Sequence, residues 1–268
     1  MEPVATPEAE ATPQAAATPL LAVRDLRQEF GGVVALEGVA LSVRAGEVHG
    51  LIGPNGAGKT TLFDCIAGVR RPKAGTITLE GRDITNAPAV TRARLGITRT
   101  FQRQQVFGWL SVEENVLVGL EWRGGGGGFV GDLLSLPGRR RRERERRLLA
   151  GSALERCGLS SVRDQSAGTL SIGFLRRVEL ARAVADRPVL VLLDEPSSGL
   201  EDPEIRQLTV IIRELRETGC AVLLIEHDFP FVMEVCDRIS VLDLGRVIAC
   251  GSPDEVVREE AVREAYLQ

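Results

Sequence analysis

Residues 53–60 read GPNGAGKT, a G-x-x-x-x-G-K-[ST] pattern set between the apolar run EVHGLI and a segment, TLFDCIAG, with helical spacing. That placement constrains the chain more than any other feature, because the pattern works only as a tight turn from a strand into a helix. Gly56 and Gly58 let the backbone curl so that several N–H groups converge on one anion. Lys59 reaches the outer phosphates as a compact charge, and the Thr60 hydroxyl is a ligand for Mg²⁺. The candidate phosphate-binding set is therefore Gly53, Pro54, Asn55, Gly56, Ala57, Gly58, Lys59, Thr60 and Thr61. The chain has only two lysines, Lys59 and Lys73, among abundant arginines. A lysine kept at 59 suits a site where the larger planar guanidinium does not substitute.

The flanking pattern fits an α/β frame. From Leu20 to Ile52 the segments LLAVRDL, ALSVRAG and EVHGLIG suit short strands, and GTITLEG at 75–81 alternates as a strand does. Between them a helix after Gly58 carries Leu62, Ile66 and Val69 on one face. Further on, helix 172–186, strand 189–193, helix 203–218, strand 220–225 and helix 229–236 alternate, which predicts a parallel sheet with crossover helices. A hairpin over 238–251 and a helical tail close the chain. The stretch from about 103 to 170 reads as a mostly helical insert. Within it Ser111 and Glu114 form a capping-box pattern, GGGGG at 124–128 is a break, and 139–159 is helical with a heavily charged start.

Two further segments carry chemistry. VLVLLDEP (189–196) is a buried strand ending in two acids, at the sheet edge where α/β folds place ligands. Asp194 suits the metal-side carboxylate that pairs with Thr60, and Glu195 is placed to orient or deprotonate a water. His227 ends the next apolar strand, and parallel neighbours end at the same edge. His49 lies inside a strand and reads as a satisfied core histidine. LSIGF (170–174) puts Ser171 and Gly173 at a helix mouth, where free N–H groups and the helix dipole favour an anion.

At 44 % hydrophobic and 26 % charged the composition is that of a soluble globular chain, and a net charge of −4 speaks against nucleic-acid binding. The Arg-rich run 139–147 reads first as a solvated helix face and second as a contact for acidic lipid headgroups. Five cysteines without a C-x-x-C pair read as buried thiols in a reducing cytoplasm. No apolar run approaches a membrane span of ~20 residues. The Ala/Pro/Thr/Glu-rich residues 1–19 cannot bury a core and read as a disordered tail, leaving 20–268 as one domain.

In this order the motifs resemble the ATP-binding subunits of ABC transporters, from about Leu20 onward. GPNGAGKT is similar to Walker A, LLDEP to Walker B with its catalytic glutamate, LSIGF to the signature, SSGLED to the D-loop and IEHD to the switch loop. TFQ resembles the Q-loop, which implies that Gln102 serves catalysis and metal binding. Phe30 stands where the family stacks an aromatic on adenine. The resemblance implies a RecA-like P-loop NTPase core with a mostly parallel sheet, an antiparallel β flank and a helical subdomain. It implies ATP and Mg²⁺ as cofactors, and Glu195, His227 and Gln102 as catalytic residues. It also implies that Ser171 and the N–H groups of Gly173 and Phe174 meet nucleotide bound by a second cassette. The other implied partners are permease subunits and, indirectly, an extracytoplasmic solute-binding protein, with the chain peripheral on the inner face of the membrane. FGGVVAL, GITRTFQRQQVF, LSVEENVLVGL and VREAYLQ resemble the larger ATPase of branched-chain amino acid importers, with urea importers and lipopolysaccharide exporters as near relatives. A non-transport ABC ATPase and a binding-only cassette are the rival readings. The family usually has Gly at 172 and Gln at 174, where this chain has Ile172 and Phe174, and the D-loop carries Glu201 in place of Asp or Asn. The expected anion grip needs only a hydroxyl, backbone N–H and the dipole, and Phe174 is expected to pack across the cassette interface.

Overall fold

The computed structural model describes residues 18–100, 105–121, 137–260 and 262. The expected tail, the glycine run and Gln102 fall wholly or mostly outside these residues. Strand β1 (Leu21–Phe30) turns through Gly31–Gly32 into β2 (Val33–Val43), and β3 (Val48–Ile52) enters the 53–58 loop. Helix α1 (Lys59–Ala67) follows, then β4 (Ala74–Leu79), the two-residue β5 (Arg82–Asp83), α2 (Ala89–Arg94) and the short β6 (Ile97–Arg99). Val69 does not join the buried face of α1. Gly68 ends the helix in a left-handed turn, so Val69 lies past the last turn and is exposed, while Leu62 and Ile66 are buried.

Helices α3 (Val112–Val118), α4 (Pro137–Arg156) and α5 (Ile172–Val184) follow. The α3 capping box forms as expected: Glu114 N–H donates to Ser111 Oγ at 3.1 Å and Ser111 N–H donates to the Glu114 carboxylate at 2.8 Å. Val116, Leu120, Ala153, Leu154, Val178 and Ala181 bury themselves together where these three helices meet. The charged start of α4 is exposed over Arg141–Arg142 and carries an i,i+4 pair between Glu143 and Arg147 at 3.0 Å.

The frame resumes with β7 (Leu190–Asp194), α6 (Asp202–Glu217), β8 (Ala221–Ile225), α7 (Phe229–Val235), β9 (Arg238–Asp243), β10 (Arg246–Gly251) and α8 (Pro253–Arg258). On α6 the residues Leu208, Ile211, Ile212 and Leu215 are buried at helical spacing, each contributing on the order of 2 kcal/mol of burial. The described strands make two sheets. One is antiparallel, in the order β2-β1-β4-β5; the other runs β10-β9-β3-β8-β7-β6, parallel except for β10 at its edge. In β7 and β8 every residue is buried, as parallel strands covered on both faces require. Their alternation divides the interior. Leu190, Leu192, Leu223 and Ile225 face the core shared with α1 and the antiparallel sheet, and Val191, Leu193, Val222 and Leu224 face the helical side.

His49 is a core histidine. It is fully buried in β3, with Nδ1 2.8 Å from the Glu47 carboxylate and Nε2 2.9 Å from Ser240 Oγ. The thiols are free, and four are buried; Cys250, expected to be buried as well, is exposed because β10 is an edge strand.

Candidate functional site

The loop 53–58 is built by close backbone approaches. Gly58 has φ +104, and a Cβ there would run into the Ala35 carbonyl, so only glycine fits. The turn between β9 and β10 braces the loop from beneath: Gly245 N–H donates to the Ala57 carbonyl at 3.0 Å, and Glu37 N–H to the Gly245 carbonyl at 2.8 Å. Ala57 is buried, while Asn55, Gly56 and Thr60 face solvent. Lys59 folds back over the loop, donating to the carbonyls of Gly53 at 2.6 Å and Pro54 at 2.9 Å. Burial pulls its pKa below the usual lysine range, against the opposing fields of Glu195 and Asp194. The Thr60 and Thr61 positions lie in the first turn of α1.

Asp194 is the last residue of β7, paired in register with Ile225 on β8, so both strands deliver their next residues to one sheet edge. Glu195 follows in a left-handed conformation, φ +49, with its N–H donated to the Ile225 carbonyl at 2.9 Å. A non-glycine residue there costs on the order of 1 kcal/mol, strain of the kind that collects where a side chain must be aimed. Its carboxylate lies 3.9 Å from His227 Nδ1. The expected meeting of Asp194, Glu195 and His227 at one edge is thus what the structure shows.

Two residues that sequence reasoning passed over complete this edge. Glu226, fully buried between β8 and His227, accepts the N–H of Ser197 at 2.8 Å and that of His227 at 3.1 Å, tying the segments after β7 and β8 together. Arg99, at the end of β6, donates to Asp194 at 3.1 Å and to Asp64 of α1 at 2.6 Å. Burial raises the Asp194 pKa, and the Arg99 hydrogen bond and charge oppose that rise. An acid directly after the apolar strand 221–225 could have flagged Glu226 as a residue of the sheet edge, though not its burial. Nothing in the pattern GITRTF marks Arg99 as buried.

At the other candidate segment Ser171 is the N-cap of α5, its Oγ receiving the Phe174 N–H at 3.5 Å. Gly173 is pressed against the Glu204 carboxylate of α6. Ile172 is exposed, but Phe174 packs against its own chain's core with the Arg177 guanidinium 4.1 Å over its ring. Part of the ring is therefore anchored on its own chain. Phe30, at the end of β1, is 38 % exposed, and the Arg70 guanidinium sits 4.6 Å over the ring.

The residues present suit a nucleotide with Mg²⁺. The loop offers N–H groups and one lysine, and Thr60 and Asp194 offer a hydroxyl and a carboxylate. Among the described residues no three or more His, Cys, Asp or Glu gather as a metal cage. Mg²⁺ needs none, since it keeps waters and takes one or two protein oxygens beside substrate phosphates.

The chain matches the family described as ABC transporter over residues 36–198, and the one described as branched-chain amino acid ATP-binding cassette transporter over residues 246–267. It is 42 % identical to the high-affinity branched-chain amino acid transport ATP-binding protein LivG of Salmonella typhimurium, over 92 % of this chain and 97 % of that one. It is 38 % identical to the lipopolysaccharide export system ATP-binding protein LptB of Acidithiobacillus ferridurans, over 92 % and 96 %. A crystal structure of an ABC transporter's ATP-binding cassette in its ADP conformation superposes with a TM-score of 0.82 at 32 % identity, over 93 % of this chain and 99 % of that chain. With a Walker-type loop, an acid-tipped β7 and relatives matched along nearly their whole length, the chain belongs to the ABC transporter family as one of its ATP-binding cassettes, an ATPase.

Proposed function

We propose that this cassette drives an importer for branched-chain amino acids or similar small solutes. It would work with Mg²⁺, a second cassette and permease subunits, fed by an extracytoplasmic solute-binding protein. The observation that carries the catalytic half is the shared edge of β7 and β8, where Asp194, Glu195 and His227 stand beside the loop that leaves β3. The solute half rests on the LivG relative and on the match over residues 246–267. Lipopolysaccharide export is the second reading, favoured by the LptB relative. Among the described residues no helix is long and apolar enough to cross a membrane, and on either reading the permease subunits would supply the path for solute.

The residues divide the work. The backbone N–H groups of 53–58 and Lys59 hold the phosphate chain; Lys59 must first release the carbonyls of Gly53 and Pro54. Phe30 offers its exposed face to adenine once Arg70 yields or shares it. Thr60 and Asp194 hold Mg²⁺, with Gln102 as a further ligand. Bound there, the ion neutralises developing charge on the phosphate oxygens. Glu195 accepts a proton from the attacking water or orients it, and His227 steadies the outer phosphate from the neighbouring strand. Ser171 and Gly173 serve the nucleotide of the opposing cassette.

Glu195→Gln tests the central assignment, since it keeps the shape and removes the base. ATP binding by titration should persist, while turnover of the assembled transporter should drop by roughly 10²–10⁴, the usual contribution of a positioned base. Turnover at the wild-type rate overturns the role of Glu195. Substrate class is read separately, from which radiolabelled solute the reconstituted complex accumulates.

A further inference from the structure

We propose that Arg99 is a positioning residue for the metal site, a strut that sets the spacing between Thr60 on α1 and Asp194 on β7; the inference rests on the reading of those two as the protein's Mg²⁺ ligands. The two ligands come from different elements. Asp64 lies four residues after Thr60, hence one turn further along the same face of α1. Arg99 bridges that face to β7: Nη1 donates to Asp64 Oδ1 at 2.6 Å and Nη2 to Asp194 Oδ2 at 3.1 Å.

The bridge is built to hold a position. The Arg99 side chain is only 8 % exposed, and its guanidinium lies 5.7 Å over the Phe63 ring, so it has little freedom to follow a moving carboxylate. Its backbone is fixed by parallel pairing with Leu192, two residues before Asp194. Asp64 is steadied from the other side by Arg70, whose Nε lies 3.7 Å from it. Engaging Oδ2 sets the carboxylate's rotation and directs Oδ1 elsewhere. The planar fork holds its two donor nitrogens at a fixed separation and so fixes the spacing of the two carboxylates; a lysine ammonium donates from a single nitrogen and imposes no such spacing. Mg²⁺ tolerates little error in ligand spacing, near 2.0–2.1 Å in octahedral geometry, so a strut between two ligand-bearing elements acts directly on its affinity.

Arg99 also carries a positive charge beside a cation site, which by itself weakens metal binding. The two effects have opposite signs, and the proposal is that spacing wins. The test uses the full chain with a non-hydrolysable ATP analogue and Mn²⁺ as a paramagnetic probe, free Mn²⁺ being read by electron paramagnetic resonance. ATP affinity is measured separately in EDTA. Arg99→Lys keeps the charge and loses the bridge, and Arg99→Met loses both. Each should weaken Mn²⁺ binding roughly tenfold, the usual scale for residues that orient metal ligands, with EDTA affinity for ATP unchanged. Mn²⁺ binding at wild-type strength in Arg99→Lys, or tighter binding in Arg99→Met, overturns the strut. Should Arg99→Met not fold, Arg99→Lys decides alone. Asp194→Asn separates the two layers. If it leaves Mn²⁺ binding intact, the ligand assignment fails and the strut with it; if it weakens binding while Arg99→Lys does not, the strut alone fails.

Discussion

At Gly173 the Glu204 carboxylate occupies the place a Cβ would take, so a side chain there fits only if Glu204 moves. The same Glu204 accepts the Glu201 N–H at 3.1 Å in the α6 capping box. One carboxylate thus fixes the start of α6 and lies against Gly173 near the start of α5, so a larger residue at 173 would have to displace it; this contact ties the signature segment to the D-loop inside a single chain. The cysteines show how far burial alone sets chemistry. Burial pushes the thiol pKa of Cys65 and of Cys220 up to about 11 and that of Cys157 up to about 12, and it raises Cys236 as well. Cys250 is the exposed one. The thiolate is the nucleophile, so buried thiols held protonated stay unreactive at neutral pH. Titration of the native chain with Ellman's reagent should give one fast thiol, lost in Cys250→Ser, and five after unfolding. Several fast thiols in the native chain would contradict the buried positions of the other four.

Elements were legible where one local force dominates. Strands β7 and β8 are covered on both faces, which writes them as apolar runs, β3 is covered likewise but interrupted by His49, and α6 announces itself by four buried residues at helical spacing. The loop 53–60 and the acids at the end of β7 were legible because their chemistry requires those residue types in that order. What stayed hidden depends on tertiary neighbours. Strand β6 has three residues, too few to show alternation, and exists because β7 pairs with it. Arg99 reads as a surface residue until the carboxylates of two other elements are placed around it. Glu226 follows the same logic, its burial set by the segments it ties. The helix α3 sits at the legible end, since its start is written in Ser111 and Glu114. Ser111→Ala should cost about 1 kcal/mol and lower the thermal midpoint by roughly 2–4 °C, measured by calorimetry. An unchanged midpoint would mean that the packing of Val112 and Val116, both buried, holds α3 without its cap.

Across the whole molecule the two sides of the central sheet do different work. The side facing α1 and the antiparallel sheet supports the 53–60 loop and Phe30, and the side facing α3, α4 and α5 carries Ser171 and Gly173. On the proposed reading these segments serve two different nucleotides, one held by this chain and one held by an opposing cassette. Ser171→Arg separates that arrangement from a single-chain site. The substitution removes the N-cap of α5, a loss of about 1 kcal/mol that a large buried core can absorb. It also sets a long cation at a helix mouth that must close against another surface. An arginine could attract phosphate, and in an open single-chain site that attraction would tighten ATP binding or, through crowding, disturb it. In a closing interface its volume has nowhere to go. The expected outcome is that ATP affinity of the isolated chain, read by titration, stays at the wild-type value while hydrolysis by the reconstituted transporter is lost. A change of ATP affinity in the isolated chain would place Ser171 at this chain's own nucleotide, and the paired-cassette reading would have to be given up.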